Sequence, residues 1–246
     1  MTQFILGIPF FNGTVTECYR QLQKAGGLLT VPSGPGLASI PAEKIYYNAL
    51  LNSDLVIADS GYMALIWNSI SKEKINRISG LEFINYFLEQ IHNGSARNIF
   101  LVNPNNEEGE ENRKLFNALG ATITPQQMYV APYYKKGAIN DPDLLRILEE
   151  QKPHWIFLNI GGGVQEILGD YLKDHLSYKP AIICTGAAIA FKTGKQVNIP
   201  VWADKLYLGW LFRILWNPKG YIKRYWDAIP LMRLLLKYRE KPVAFS

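Results

Sequence analysis

The stretch WIFLNIGGGVQEILGDYLKDHLSYKPAIIC, residues 155–184, contains the unit on which the fold depends. It begins with a short apolar run, Trp155–Asn159, passes through three glycines into a helical pattern, and ends with a second apolar run, Ala181–Cys184. A strand, a helix and a second strand in this order are typical of a sheet covered by helices. The stretch therefore predicts an α/β protein.

The same alternation of short apolar strands and amphipathic helices extends towards the N-terminus. Thr14 and Ser79 each stand three residues before a glutamate, a capping-box pattern that predicts helix starts. Pro41 suits the first turn of another helix, and Asp141 with Pro142 opens one more. The pattern predicts a layered α/β sheet. Its other strands are predicted at Phe4–Gly7, Leu28–Val31, Leu55–Ala58, Asn98–Val102 and Thr122–Val130.

The C-terminal tail is the most basic part of the sequence. Residues 201–246 have nine Lys and Arg against three Asp and Glu, whereas the rest of the chain has 17 basic and 18 acidic side chains. From Tyr221, apolar residues recur with a helical period while Lys223 and Arg224 take the other face. After Pro230, which starts a new helix or kinks the old one, a second apolar face continues.

This pattern predicts a basic amphipathic appendage that lies on an anionic membrane surface. Aliphatic and aromatic residues of such helices enter the headgroup boundary, and Lys and Arg bind the anionic phosphates. The alternative is a helix pair that packs on its own domain, with its basic residues solvated. Because the alternation of strands ends near Cys184, we place the boundary between a core, residues 1–197, and the appendage, residues 198–246.

Composition narrows the class of protein. With 246 residues, 48% hydrophobic and 19% charged, the chain can bury a full core. No apolar run approaches the roughly 18 residues that span a bilayer, and the N-terminus lacks the basic segment of a secretion signal. We therefore expect a cytoplasmic protein, peripheral on the inner face of the cell membrane. A charge-balanced core argues against nucleic acid as a partner, and Cys18 and Cys184 predict buried free thiols.

Three loops are equipped to bind a ligand where strands end. The first carries Asp59, a candidate general base or the cap of the next helix. The second contains Gly161, Gly162 and Gly163, whose backbone can approach a diphosphate closely or simply form a turn. The third, with small residues after the last strand, includes Gly186.

In their order along the chain, these motifs resemble those of the WecG/TagA/CpsF family of bacterial glycosyltransferases. The most specific match is the last one, in the basic tail. The matching segments are ILG at 5–7, FNGTVTE at 11–17, NSDLVIADSG at 52–61, INRISGLEF at 75–83, NIGGGVQE at 159–166 and LGWLFRILWNPKGYIKRYW at 208–226.

The resemblance implies a Rossmann-like core, a layered sheet with helices on both faces, and an appendage that reaches the membrane and completes the active site. It implies metal-independent, inverting transfer of an N-acetylhexosamine-type sugar from a UDP donor to a polyprenyl-diphosphate-linked acceptor. Such products build teichoic acid, capsule or exopolysaccharide. No cofactor beyond the UDP-sugar is implied, and assembly into a homo-oligomer is left open.

The resemblance also implies roles for individual residues. Asp59 matches the base that deprotonates the acceptor hydroxyl, and Ser33 stands at the position of a family Asn. Gln165 and Glu166 match a pair near the donor, and Arg77 matches a phosphate contact. The basic residues that would stabilise the departing UDP, or else contact headgroups or solvent, are Arg213, Lys223 and Arg224.

Five positions depart from the family pattern. They leave open a different sugar or acceptor, or a loss of activity. The alternative function is therefore a catalytically inactive, membrane-docked scaffold or sugar-nucleotide-binding protein of the same pathway. The departures are Val31 for Thr, Ser60 for Gly, Gly163 for Pro, Ala190 for Asp and Gly209 for Glu.

Overall fold

The structure is a computed structural model that describes residues 2–135, 137–191, 200, 203 and 209–245. These residues form an α/β fold, as predicted. The expected boundary near residue 197 and the start of the basic tail around Lys205 lie outside the described residues.

The described residues build one sheet of eight strands, in the order β1-β2-β4-β3-β8-β7-β5-β6. All neighbouring strands are parallel except the antiparallel pair β1–β2 at one edge. The central strands β3, β5, β7 and β8 are buried along their whole length, as expected for parallel strands covered on both sides. The strands are Thr2–Ile5 (β1), Ile8–Phe11 (β2), Gly27–Thr30 (β3), Leu55–Val56 (β4), Ile99–Asn103 (β5), Met128–Val130 (β6), Trp155–Leu158 (β7) and Ala181–Cys184 (β8).

The helices alternate with the strands as the sequence predicts. The capping box of Thr14 and Glu17 is present, and the Ser79 hydroxyl accepts a hydrogen bond from the Glu82 N–H at 3.0 Å. Pro230 begins a new helix. The helices are Val15–Ala25 (α1), Gly34–Ser39 (α2), Lys44–Asn52 (α3), Gly61–Ile70 (α4), Gly80–His92 (α5), Asn106–Ala118 (α6), Pro142–Gln151 (α7), Val164–His175 (α8), Gly209–Trp216 (α9), Pro218–Trp226 (α10) and Pro230–Tyr238 (α11).

Three predicted strands differ from the structure. The strand expected at Leu55–Ala58 is reduced to Leu55–Val56. The strand expected at Phe4–Gly7 ends at Ile5, and a tight turn returns the chain as β2, because Leu6 and Gly7 both have positive φ, 55° and 78°. The strand expected at Thr122–Val130 is reduced to Met128–Val130, since a short 3-10 turn occupies Pro125–Gln127.

Apolar side chains fill both sides of the sheet. On one side, aromatic rings pack edge to face beneath α5, with 4.7 Å between the ring centroids of Phe87 and Phe157. On the other, α7 and α8 contribute buried leucines such as Leu148 and Leu172. Both cysteines are buried free thiols, as predicted. Helices therefore cover the sheet on both sides.

The last helix belongs to the core of the protein. Leu231 and Leu235 of α11 are fully buried in a cluster that also contains Trp67 of α4. Just beyond α11, the backbone oxygen of Arg239 accepts a 2.6 Å hydrogen bond from the N–H of Leu6. The apolar stripe predicted after Pro230 thus packs within the protein.

Candidate active site

A cleft of about 1210 Å³ lies along the C-terminal edge of the parallel strands, between the loops that follow them and helices α9 and α10. The cleft brings together most of the residues singled out in the sequence. Those that line it are Ser33, Asp59, Arg77, Gly161, Gly162, Gly163, Gln165, Glu166, Gly186 and Arg213. Lys223 lies instead on a separate shallow depression of α10, and the side chain of Arg224 is outside the described part of the chain.

Asp59 lies three residues beyond the end of β4, and its carboxylate accepts a hydrogen bond from another helix. Its Oδ1 accepts a hydrogen bond from the N–H of Gly80, the first residue of α5, at 3.0 Å. Its backbone oxygen accepts a 2.8 Å bond from Nε of Arg77. The cap of the following helix α4 is Ser60, whose hydroxyl accepts from the N–H of Met63. The carboxylate of Asp59 therefore lies in the cleft, at the positive end of α5.

Arg213 projects from α9 into the same cleft. Burial lowers the pKa of Arg213, but the charge of the Asp59 carboxylate and the hydroxyl of Tyr225 raise it by more, so that the net shift is upward. The guanidinium thus remains a permanent positive charge close to Asp59. Asp59 and Arg213 are far apart in sequence, and the fold brings them together.

The three glycines lie between β7 and α8, and the described residues leave open space beside them. A methyl group added at Gly161, Gly162 or Gly163 would meet no described atom within 4 Å, so their surface is open. Gly163 has a φ of +88°, which proline cannot adopt because its ring fixes φ near −65°. A proline at position 163 would therefore require a different path of this loop.

Gln165 and Glu166 tie the glycine loop to the loop after β8. Oε2 of Glu166 accepts a 2.6 Å bond from the N–H of Gly163, and its Oε1 accepts from Nε2 of Gln165. Oε1 of Gln165 in turn accepts a 2.8 Å bond from the N–H of Gly186. Burial raises the pKa of the Glu166 carboxyl to about 7. These hydrogen bonds fix the position of the glycine loop relative to the loop after β8.

Ser33 caps α2, because its hydroxyl accepts a hydrogen bond from the N–H of Gly36 at 3.3 Å. Ser33 lines the cleft. Four of the five departures from the family pattern also line the cleft: Val31, Ser60, Gly163 and Gly209.

Two groups line the cleft that the sequence analysis did not assign to it. Tyr221 and Tyr225 of α10 face inward, and Asn112 and Asn159 lie towards the other end of the sheet. Asn159 follows the apolar run WIFL, and a polar side chain at the end of a buried strand was the signal that could have identified it.

The C-terminal helices carry large apolar residues that are exposed to solvent, which we call together the outer apolar surface. The residues of the apolar stripe expected on α10 differ in their exposure. Tyr221 is buried, whereas Ile222 and Trp226 are 55% and 72% exposed. Lys219 and Lys223 lie on the same helix. The outer apolar surface comprises Leu211, Leu215, Trp216, Ile222, Trp226, Met232 and Leu236.

Within the ranges that the structure describes, no helix combines the length and the apolar character needed to span a membrane. The same residues contain no group of three His, Cys, Asp or Glu side chains arranged to hold a metal ion.

Comparison with known proteins gives two matches. The model of the glycosyl transferase WecG/TagA/CpsF family matches residues 3–243. A relative from Bacillus subtilis (strain 168), N-acetylglucosaminyldiphosphoundecaprenol N-acetyl-beta-D-mannosaminyltransferase, is 21% identical over 225 residues, which cover 88% of this chain and 84% of the relative. Because the family model spans nearly the whole chain, this protein belongs to the WecG/TagA/CpsF family of glycosyltransferases.

Proposed function

We propose that this glycosyltransferase moves an N-acetylhexosamine-type sugar from a UDP donor to a polyprenyl-diphosphate-linked acceptor, with inversion at the anomeric carbon. The observation that carries the proposal is the meeting of Asp59 and Arg213 in one cleft beside an open glycine loop. The activity for which the Bacillus subtilis relative is named, transfer of N-acetylmannosamine to a diphosphoundecaprenol-linked sugar, supports the choice of substrates.

Asp59 is suited to act as the general base. The N–H of Gly80 fixes the carboxylate at the positive end of a helix. In the proposed step, Asp59 takes the proton of the acceptor hydroxyl as that oxygen bonds to the anomeric carbon of the donor. The bond from that carbon to the diphosphate breaks on the opposite face, and UDP leaves with the electron pair. A single displacement of this kind inverts the anomeric centre.

Arg77 and Arg213 are suited to stabilise the departing diphosphate. Both line the cleft, and guanidinium groups bind phosphate oxygens with paired hydrogen bonds. The open glycine loop adds the positive end of α8. We propose that these groups neutralise the developing charge without a bound metal cofactor, so that turnover persists in EDTA.

The outer apolar surface is suited to rest in the headgroup region of the inner leaflet. Trp226 and Leu215, 72% and 71% exposed, would enter the headgroup boundary, and Lys219 and Lys223 would meet anionic phosphates at about 1 kcal/mol per charge. The lipid acceptor is confined to the bilayer, so a peripheral enzyme gains effective concentration there.

A second candidate function is a catalytically inactive sugar-nucleotide-binding protein or scaffold of the same pathway. It is favoured by the departures at Val31, Ser60, Gly163 and Gly209, because all four line the cleft. Both candidates predict binding of UDP and of membranes. Turnover separates them.

The test measures UDP release from a panel of UDP-N-acetylhexosamines, with an N-acetylglucosamine-diphosphate-lipid acceptor in vesicles and EDTA present. We expect turnover by the wild-type protein and a loss of at least about 100-fold in Asp59→Asn. Asp174→Asn, at an exposed position of α8, is the matched control and should retain activity. Absence of turnover with every donor, alongside intact UDP and liposome binding, would overturn the transferase proposal in favour of the second candidate.

A further inference from the structure

One end of the cleft, beside Asp59, is lined by large apolar side chains that stay exposed. Tyr62 and Leu65 of α4 are 38% and 55% exposed, and Ile229, between α10 and α11, is 48% exposed. Tyr62 and Leu65 stand three residues apart, so they lie on the same face of α4. We call Tyr62, Leu65 and Ile229 the apolar end of the cleft.

The opposite side of α4 packs into the core. Met63, Ala64 and Trp67 are buried in a cluster that also contains Leu231 and Leu235 of α11. The helix is therefore held by these buried contacts, and its exposed apolar face is not needed for them. Exposed apolar side chains that line a ligand cleft indicate an apolar part of the ligand.

The segment between α10 and α11 comes close to the start of α4. A methyl group built on Gly34 would stand 3.0 Å from Oγ of Ser60, the residue after Asp59, and 3.6 Å from Cβ of Ala228, the residue before Ile229. The start of α4 and the segment that carries Ile229 are therefore neighbours, next to the proposed base.

The same segment lies between the cleft and the outer apolar surface. Asp227 lines both the cleft and the shallow depression on α10, and that depression also contains Ile222 and Trp226 of the outer apolar surface. Only three residues separate Trp226 from Ile229, which lines the cleft. The apolar end of the cleft therefore adjoins the surface that we propose faces the bilayer.

Only one of the proposed substrates has a large apolar part. The donor consists of a sugar, a diphosphate and a nucleoside, which are all polar. The acceptor carries an isoprenoid chain, as does the diphosphoundecaprenol for which the Bacillus subtilis relative is named. The apolar end of the cleft therefore fits the acceptor and does not fit the donor.

The order of the residues agrees with the order of groups in such an acceptor. A hydroxyl of its sugar must meet Asp59, the diphosphate follows, and the isoprenoid chain begins beyond the diphosphate. Leu65 lies five residues after the cap Ser60, which is about 8 Å along α4 at 1.5 Å per residue. The apolar side chains thus extend away from the base, as the chain of the acceptor must.

We propose that Tyr62, Leu65 and Ile229 bind the first isoprene units of the acceptor, and that the acceptor enters the cleft from the side of α10 and α11 that carries the outer apolar surface. The proposal rests on the proposed function, which supplies a lipid-linked acceptor. It adds to that function the residues that recognise the lipid and the direction from which the lipid enters.

The first test measures binding and needs no turnover. Titration calorimetry without vesicles compares farnesyl diphosphate with inorganic pyrophosphate. The wild-type protein should bind farnesyl diphosphate at least about tenfold more tightly, because burial of isoprenoid carbons favours binding. Leu65→Gln should remove most of this difference and leave the affinity for pyrophosphate unchanged.

The matched control is Leu51→Gln on α3. Leu51 is 38% exposed and is absent from the described residues that line the cleft, so both affinities should stay at the wild-type values.

The second test measures turnover with two soluble acceptors, N-acetylglucosamine diphosphate that carries either a farnesyl or a methyl group. Leu65→Gln and Ile229→Gln should raise KM for the farnesyl acceptor at least about fivefold, because contacts with the chain are lost. KM for the methyl acceptor and KM for the donor should not change. Without vesicles, membrane attachment does not affect these values.

Three results would overturn the lipid subsite. Equal losses with pyrophosphate or with the methyl acceptor would assign these residues to the polar part of the substrate or to the stability of the cleft. Wild-type values for the farnesyl compounds in both variants would exclude contact with the chain, and weaker sedimentation with liposomes would then identify a membrane contact only. A dimer that dissociates in Leu65→Gln would assign the surface to a second copy of the chain.

Failure of the proposed function would give a different result. Absence of turnover by the wild-type protein, together with farnesyl diphosphate binding that depends on Leu65, would overturn the proposed transfer and leave the lipid subsite in place.

Discussion

The backbone N–H of Gly80 donates a hydrogen bond to Oδ1 of Asp59, with 3.0 Å between nitrogen and oxygen. Gly80 is the first residue of α5, a position where proline is well tolerated in helices but offers no N–H. We expect Gly80→Pro to keep α5 and to lower turnover at least about tenfold, because the carboxylate loses the donor that orients it. Initial rates of UDP release measure the effect.

Gly80→Ala is the control for this prediction. It keeps the N–H, and its methyl group would lie in ordinary contact, 3.4 Å from Cγ1 of Val31 and 3.6 Å from the backbone oxygen of Thr185. Its turnover should remain close to that of the wild-type protein. If the proline variant is as active as the alanine variant, the bond to Gly80 does not orient the base.

Arg213 is expected to contribute mainly to the handling of the diphosphate. Arg213→Ala should lower kcat/KM for the donor more than about tenfold, since a charge-assisted contact is lost. Arg213→Lys should recover only part of this, because lysine lacks the planar fork. Assays in detergent separate this effect from membrane attachment. Arg233→Ala, on the exposed side of α11, should match the wild-type protein, and an equal loss there would refute a specific role for Arg213.

Glu166 should make the stability of the protein depend on pH. Burial raises its pKa from 4.5 to about 7, so the folded protein binds this proton more tightly than the unfolded chain. The resulting stabilisation is complete below pH 4.5 and is lost as the pH rises through about 7, a difference of about 3 kcal/mol. Urea unfolding should be measured from about pH 5 to about pH 8, a range that spans the raised pKa of Glu166. Across this range, the free energy of unfolding of Glu166→Gln should depend less on pH than that of the wild-type protein. Glu89→Gln, at an exposed site of α5, should keep the wild-type slope.

The outer apolar surface should control binding to vesicles. Trp226→Glu and Leu215→Glu place a carboxylate where the side chains are 72% and 71% exposed, so folding should be unaffected while sedimentation with anionic liposomes falls. Val130→Glu is the control. Val130 is also exposed, by 41%, but it is the last residue of β6, the edge strand on the opposite side of the sheet from β1. Unchanged sedimentation of both appendage variants would exclude this surface as the membrane contact.

Point variants are preferable to deletion of residues 198–246, because α11 contributes buried side chains to the hydrophobic core. Leu235→Ala should lower the free energy of unfolding by about 2–5 kcal/mol, as expected for a fully buried leucine. Leu236→Ala, at the next and 51% exposed position, should change it by less than about 0.5 kcal/mol. Thermal or urea unfolding distinguishes the two, and similar values would mean that α11 does not pack as described.

The sequence was sufficient to predict the α/β class and the meeting of distant loops. Asp59, the glycine loop and Gly186 each follow a strand, and the ends of parallel strands share one edge, so the strand assignments alone bring these residues together. The network of Gln165 and Glu166 could not be predicted, because it depends on side-chain directions in two loops.

The periodicity of apolar residues could not show what each apolar helix face would pack against. It correctly indicated helices after Tyr221 and Pro230, but it could not tell that Tyr221 would face the cleft, Trp226 the solvent and Leu235 the core. The hairpin at Leu6 was missed for a different reason. A leucine with positive φ gives no turn signal in sequence, and its conformation is supported by the bond to Arg239.

The bond from Leu6 to Arg239 joins segments that are separated by nearly the whole length of the chain. The apolar cluster that contains Ile5, Ile8 and Phe10 is completed by Leu231, Leu235 and Val243. During translation, this cluster must therefore stay open until these three residues have left the ribosome. The helices that carry the outer apolar surface precede or include these residues, so the N-terminal hairpin finds its packing partners only after those helices have been synthesised.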